Sequence, residues 1–216
     1  QAQPRVGPAS VVLLGPARSH PRPGAAGKRG PWAMPLALQQ PHGRRVAAAV
    51  EDGLVAPWVP CEDDALNGAL RELQLSREDL VADLGCGDGR TLLRAVEMSG
   101  CRALGVELDE AVLGDARRAL ASSPPGVRER VVLHHGCVFE AAVAWGQDAA
   151  AAPGALGSGG RPTCVFLYML PEALAKLGPM LEPLLQAGAV VCSFRWPIPG
   201  WQAHERASGP GWRLYG

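Results

Sequence analysis

From Asp83 to Arg90 the chain reads Asp-Leu-Gly-Cys-Gly-Asp-Gly-Arg, three glycines at alternate positions between and beside two carboxylates. Glycine lets a chain turn tightly and brings backbone against a ligand with no Cβ in between. Glu107 stands about twenty residues further on, at the end of a second apolar run, where a carboxylate can accept both hydroxyls of a ribose. A Gly-rich turn followed by such an acid is the chemistry of a nucleoside-bearing cofactor.

Two cofactor classes compete for it. The dinucleotide fingerprint is G-x-G-x-x-G, with a pyrophosphate on the following helix N-terminus. Here Gly89 comes one residue early, and Asp83 and Asp88 would repel a pyrophosphate. S-adenosylmethionine has no phosphate and carries an ammonium and a sulfonium, both drawn to nearby acids. The charge argument favours S-adenosylmethionine over NAD. The bland alternatives are that the glycines form a structural turn and that Glu107 is a solvated strand end.

The elements that must position these residues follow from periodicity. Leu80–Leu84 is a short apolar run ending in the glycines, hence a buried strand, and Arg90–Ser99 follows as a helix stopped by Gly100. Arg102–Glu107 is a second strand, Glu110–Ser122 a helix and Val131–His134 a third strand. Helices are expected at Glu62–Leu75, Phe139–Trp145 and Pro171–Gln186, the last bent or split by Pro179 and Pro183. Thr163–Leu170, Gly188–Trp196 and Trp212–Tyr215 complete the strands. Alternating strands and helices give an α/β fold, a Rossmann-like, doubly wound, mostly parallel sheet with helices on both faces.

Of the 216 residues, 47% are apolar, enough to bury a sizeable core, and only 5% are aromatic, so that core rests on Leu, Val and Ala. The net charge of zero hides an uneven spread: residues 1–50 hold seven Arg or Lys and no acid, and residues 51–216 hold the other 14 basic residues and all 21 acidic ones. An acidic domain is a poor match for phosphates, which argues against nucleic acid as partner. The domain plan is a disordered basic Pro/Gly/Ala/Arg-rich extension at 1–50 and a catalytic domain at 51–216 with a low-complexity loop insertion at 147–161. An Arg-rich, acid-free N-terminus has the composition of an organellar transit peptide; the alternatives are a plain extension or sequence upstream of a start at Met34. No apolar run approaches the roughly 18 residues of a membrane span. The six cysteines form no C-x-x-C pair and no zinc spacing, so no metal site is expected and the thiols are read as reduced, in an intracellular protein.

Val81-Ala82-Asp83-Leu84-Gly85-Cys86-Gly87-Asp88-Gly89 resembles motif I of the seven-strand class I methyltransferases, and Gly105-Val106-Glu107-Leu108-Asp109 resembles their motif II. The resemblance implies that the backbone of Gly85, Cys86, Gly87, Asp88 and Gly89 cradles the methionine portion of S-adenosylmethionine. It implies too that Asp83 fixes the ammonium, and that Glu107, with Leu108, holds the ribose end. Pro57-Trp58-Val59-Pro60, Val165–Pro171 and Phe194–Trp201 are similar to segments of a smaller group, the mitochondrial lysine methyltransferases of the adenine nucleotide translocase and the ATP synthase c-subunit, with their microbial relatives. A protein lysine is then the expected acceptor, a small molecule the alternative, and a non-catalytic binding protein a third reading. The oligomeric state is left open.

Three departures stand against the family pattern. Many members carry an Asp after the third strand to accept from the adenine amino group; here Cys137 stands there, beside Val138, and a thiol is a weak hydrogen-bonding group. Arg161-Pro162-Thr163 stands where an acid is common before the fourth strand. The residues after Trp196 leave little room for the final antiparallel pair, so a shortened C-terminal sheet edge is expected. The end of the fourth strand faces the methyl group in this fold, which makes Tyr168 and Pro171 candidates for lining the acceptor channel; the other reading of Tyr168 is a rim aromatic. His134 and His135 could supply a base or could be structural.

Overall fold

The computed structural model describes residues 58–147 and 160–216. The basic extension at 1–50 and most of the insertion at 147–161 lie outside the described residues.

β1 (Leu80–Leu84) is buried along its whole length, as a central parallel strand covered on both faces must be. It leads through the glycine turn into α2 (Arg90–Ser99), which Gly100 ends in a left-handed conformation, its N–H donating to the Val96 carbonyl at 2.8 Å. β2 (Arg102–Glu107) hands over to α3 (Glu110–Ser122), whose N-terminus is capped by Asp109: the carboxylate accepts from the Ala111 and Val112 N–H groups. The single turn α4 (Pro125–Arg128) precedes β3 (Val131–His135), and α5 (Val138–Gln147) follows it. α1 (Asp63–Leu73) comes before all of these.

β4 (Cys164–Leu167) leads into α6 (Pro171–Gln186), which runs unbroken through Pro179 and Pro183. An interior proline costs about 3 kcal/mol. Leu174, Leu177, Leu181 and Leu184 on this helix are fully buried, at roughly 1.5–3 kcal/mol each, and that stripe holds the helix in one piece, so of the expected bend or split the split does not occur.

β5 (Val190–Phe194) is followed by β6 (Glu205–Gly209) and β7 (Trp212–Tyr215). The sheet has seven strands in the order β3-β2-β1-β4-β5-β7-β6; β3 to β5 are parallel, and β7 runs antiparallel to both β5 and β6. The C-terminal edge is therefore complete, not shortened. Pro210 and Gly211 alone join β6 to β7, with Gly211 at φ 80°, so the pair fits within residues 205–215.

Each face of the sheet carries its own core. α1, α2 and α3 cover one, around Leu66, Leu92, Leu113, Phe166 and Phe194. α5 and α6 cover the other, around Trp145, Leu174, Leu177 and Tyr215. Strand order reverses between β1 and β4, and the crevice beyond their carboxyl ends is where such sheets bind ligands.

Candidate active site

The glycine turn hangs from the neighbouring strand. The N–H groups of Gly85 and Cys86 both donate to the Val106 carbonyl of β2, at 2.8 and 3.1 Å. Gly85, Gly87 and Gly89 have φ of 81°, 57° and 79°, the left-handed region that other residues adopt at a cost. At Gly87 space matters as well, because a Cβ there would overlap the Trp58 indole, which lies against the turn. Cys86 turns its thiol down into the core against Gly105, so only its backbone faces the crevice.

Asp83 lies at the foot of the turn with 5% of its surface exposed, and no donor among the described residues meets its carboxylate. Burial, then the charges of Glu107 and Asp88, push its carboxyl up to about 8. Glu107 is satisfied differently. One oxygen accepts from the Gly87 N–H at 3.0 Å, the other from Leu108 and Asp109 at 2.8 and 2.9 Å. Asp88 forks onto the Arg90 guanidinium at 2.7 Å, and that guanidinium lies 5.9 Å from the Trp58 ring centre.

At the β3 end, the Gly136 N–H donates to the Glu107 carbonyl and the Cys137 carbonyl accepts from Ala141, opening α5. Cys137 is half-buried, Val138 lies next to it, and Leu108 is 40% exposed across the crevice. The His135 Nε2 bonds the Leu108 carbonyl at 2.8 Å, and its Nδ1 lies 3.4 Å from Glu110. His135 is thus a brace for the Leu108 segment, and the ring of His134 packs over Gly136.

Past β4, Met169 brings its methyl group to the turn: a Cβ on Gly85 would stand 3.1 Å from it. Tyr168 packs edge-on against Phe194 and 6.1 Å from Trp196, and Pro171 starts α6. Burial raises the Tyr168 phenol, and the Arg195 guanidinium beside it acts the other way. Arg195 has φ 67°, stacks on Trp196 at 5.1 Å and lies 4.0 Å from Glu62. Cys61, buried close by, has its thiol pushed up to about 12, by burial first and then by the Asp83 and Glu62 charges. No group of three or more metal-ligating side chains comes together among the described residues.

No family model matches the chain. Among curated proteins, it is 30% identical over 151 residues to a protein-lysine N-methyltransferase of Saccharolobus islandicus, covering 69% of this chain and 82% of that one. The chain belongs to the protein-lysine N-methyltransferase family. It is also 30% identical to the ATP synthase c-subunit lysine N-methyltransferase of Xenopus laevis, over 68% of this chain and 57% of that one. The mouse adenine nucleotide translocase lysine N-methyltransferase is 28% identical, over 79% of this chain and 63% of that one. The chain thus spans less than two thirds of these last two proteins. Among solved structures, an RNA methyltransferase of Salinibacter ruber with S-adenosyl-L-homocysteine superposes with a TM-score of 0.55 and 26% identity, over 73% of this chain and 91% of that one.

The site of this lysine-methyltransferase relative fits S-adenosylmethionine on its own chemistry. The Asp83 carboxylate is buried with no donor, which an ammonium would supply, and the turn is a cradle that side chains would fill. The structure brings Asp83, Gly85, Gly87, Gly89 and Glu107 together. Cys86 takes part through its backbone, and Asp88 is tied up with Arg90. Sequence reasoning did not single out Trp58, which lies against the glycine turn, or Arg195, which lies beside Tyr168 and Trp196. A Trp between two prolines has no periodicity to read, although its nearness to the cofactor motif in a family-like segment was a signal. A left-handed Arg leaves no mark in sequence.

Proposed function

We propose that this chain transfers a methyl group from S-adenosylmethionine to the side-chain amine of a protein lysine. The observation that carries the reading is the buried, unpartnered Asp83 carboxylate beneath the glycine turn, in a chain of the protein-lysine N-methyltransferase family. S-adenosylmethionine, when bound, supplies an electrophilic methyl group. The residues proposed to hold it are Asp83 for the ammonium, the Gly85–Gly89 backbone for the methionine chain, Glu107 and Leu108 for the ribose, and Cys137 with Val138 for the adenine. Tyr168 and Pro171 are proposed to line the acceptor side, where an in-line approach supplies much of the rate.

The Salinibacter protein acts on RNA. An RNA acceptor is disfavoured here by the charge of residues 51–216, 14 basic against 21 acidic. The acid-free N-terminus supports an organellar address, in keeping with the acceptors named for the frog and mouse relatives. No helix among the described residues is long and apolar enough to cross a membrane. The proposed plan remains an extension at 1–50 and a catalytic domain at 51–216 with the insertion at 147–161.

The test is transfer of labelled methyl groups to the ATP synthase c-subunit, to adenine nucleotide translocase and to a whole-cell protein extract, with amino-acid analysis of the product. Methyl-lysine formed by the wild type and lost in Asp83→Ala is the expected result. Label confined to RNA or small molecules overturns it. A fusion of residues 1–50 to a reporter tests the address, and a diffuse cytosolic signal rejects it.

A further inference from the structure

The turn after β5 is held in an unusual shape. Arg195 is one of two non-glycine residues among those described with positive φ, at 67°. Such a conformation is strained for a residue with a side chain and persists only where its surroundings fix it. They do so here: the Arg195 N–H donates to the Gly211 carbonyl at 2.7 Å, the Ser193 hydroxyl to the Trp196 carbonyl at 2.7 Å, and the Trp196 N–H to the Phe194 carbonyl at 2.8 Å.

This shape lays the Arg195 guanidinium on the face of Trp196, 5.1 Å from the ring centre, beside the Tyr168 phenol and 4.0 Å from Glu62. Two aromatic rings 6.1 Å apart and inclined by 31°, with a carboxylate at the rim, are what proteins use to hold an organic cation. The position is also right for an acceptor. Leu84, Leu167 and Ser193 lie side by side across β1, β4 and β5, so the residues after them, Gly85, Tyr168 and Phe194, stand at one level, and Met169 touches the glycine turn.

We propose that Trp196, Tyr168 and Glu62 form a seat for an alkylammonium group, the acceptor lysine or its methylated product, and that Arg195 occupies this seat in the absence of substrate. The identity of the alkylammonium rests on the lysine reading above; the seat itself does not. Arg195 is then a stand-in that substrate must displace, and it sets the threshold for binding. A neutral side chain of the same size keeps the apolar contact but gains no cation–π attraction from the ring faces and no charge attraction from Glu62, so the seat favours cations.

The experiment uses the full chain with S-adenosylhomocysteine present and butyltrimethylammonium as probe, following the Trp196 indole N–H by NMR, assigned with Trp196→Phe. Arg195→Gly removes the guanidinium and suits a positive φ, so the fold is kept. The expected result is a saturable shift of the Trp196 signal and binding at least fivefold tighter in Arg195→Gly than in the wild type. The neutral isostere 2,2-dimethylhexane has no such effect. Equal affinity in wild type and variant, no saturable shift in either, or equal response to the neutral probe overturns the proposal. No methyl transfer is involved, so the outcome is separate from that of the labelling experiment.

Discussion

Glu107 reaches back from the end of β2 to accept the Gly87 N–H at 3.0 Å, which fastens the glycine turn to the strand that carries the acid proposed to bind the ribose. The other oxygen accepts from Leu108 and Asp109, so three backbone donors aim this carboxylate. Glu107→Gln replaces one acceptor oxygen by an NH2 group, which must face a backbone N–H. Hydrogen bonds to charged groups are worth about 1.5–3 kcal/mol. Affinity for S-adenosylhomocysteine should fall at least tenfold by calorimetric titration; an unchanged affinity would remove Glu107 from the site.

Asp83 gives the chain a pH signature. An unfolded Asp titrates near ~4, whereas the folded carboxyl is pushed up to about 8 by burial and by the Glu107 and Asp88 charges. Between those values the folded chain holds a proton that the unfolded chain has lost, so stability is highest below the lower value and declines as pH rises through the window. Asp83→Asn should flatten that decline in Tm measured from pH 5 to 8. A bound ammonium favours the carboxylate, so cofactor binding below pH 8 should release a proton. Calorimetry in two buffers of different ionisation enthalpy reads the release directly, and its absence would count against Asp83 as the ammonium partner.

Trp58 and Gly87 share one space. Gly87→Ala meets both the indole and a φ of 57°, at a cost of roughly 1–3 kcal/mol. Its Tm should drop by several degrees, with weaker cofactor binding. Trp58→Ala in the same chain should recover part of the Tm, because it relieves the overlap and leaves the strain. A double variant no more stable than Gly87→Ala alone would show that strain is the whole effect.

Cys137 stands where the motif resemblance implies an acidic acceptor for the adenine amino group. Cys137→Asp should tighten S-adenosylhomocysteine binding about fivefold or more and create a preference over S-inosylhomocysteine, which lacks the amino donor. Among the described cysteines only Cys137 is not buried, so a maleimide should label it first and bound S-adenosylhomocysteine should slow the labelling. Equal labelling rates with and without ligand would place the adenine elsewhere.

Most of the scaffold was legible because its elements state their period. β1, α2, β2, α3 and α6 fall on the residues expected, since each couples an apolar run or stripe to a Gly or Pro boundary. β6 was not legible: Glu-Arg-Ala-Ser-Gly has no apolar alternation, and an edge strand paired on one side needs none. The turn could be read from its glycines because positive φ leaves a residue code, and the fold brings Asp83 and Glu107 beside it, where they are proposed to meet the methionine and ribose. Asp88 could not be placed, since its partner Arg90 is a matter of side-chain geometry. The same holds for Trp58 and for Arg195, whose roles depend on tertiary contacts.

Loops are where amide protons commonly exchange fastest. The amides of Gly85 and Cys86 are an exception in the making, since both end on one carbonyl of β2, inside the sheet. They should keep their protons for as long as the β1–β2 ladder itself holds, and lose them only with it. The turn proposed to meet the cofactor should then open with the central ladder of the sheet rather than as a loop.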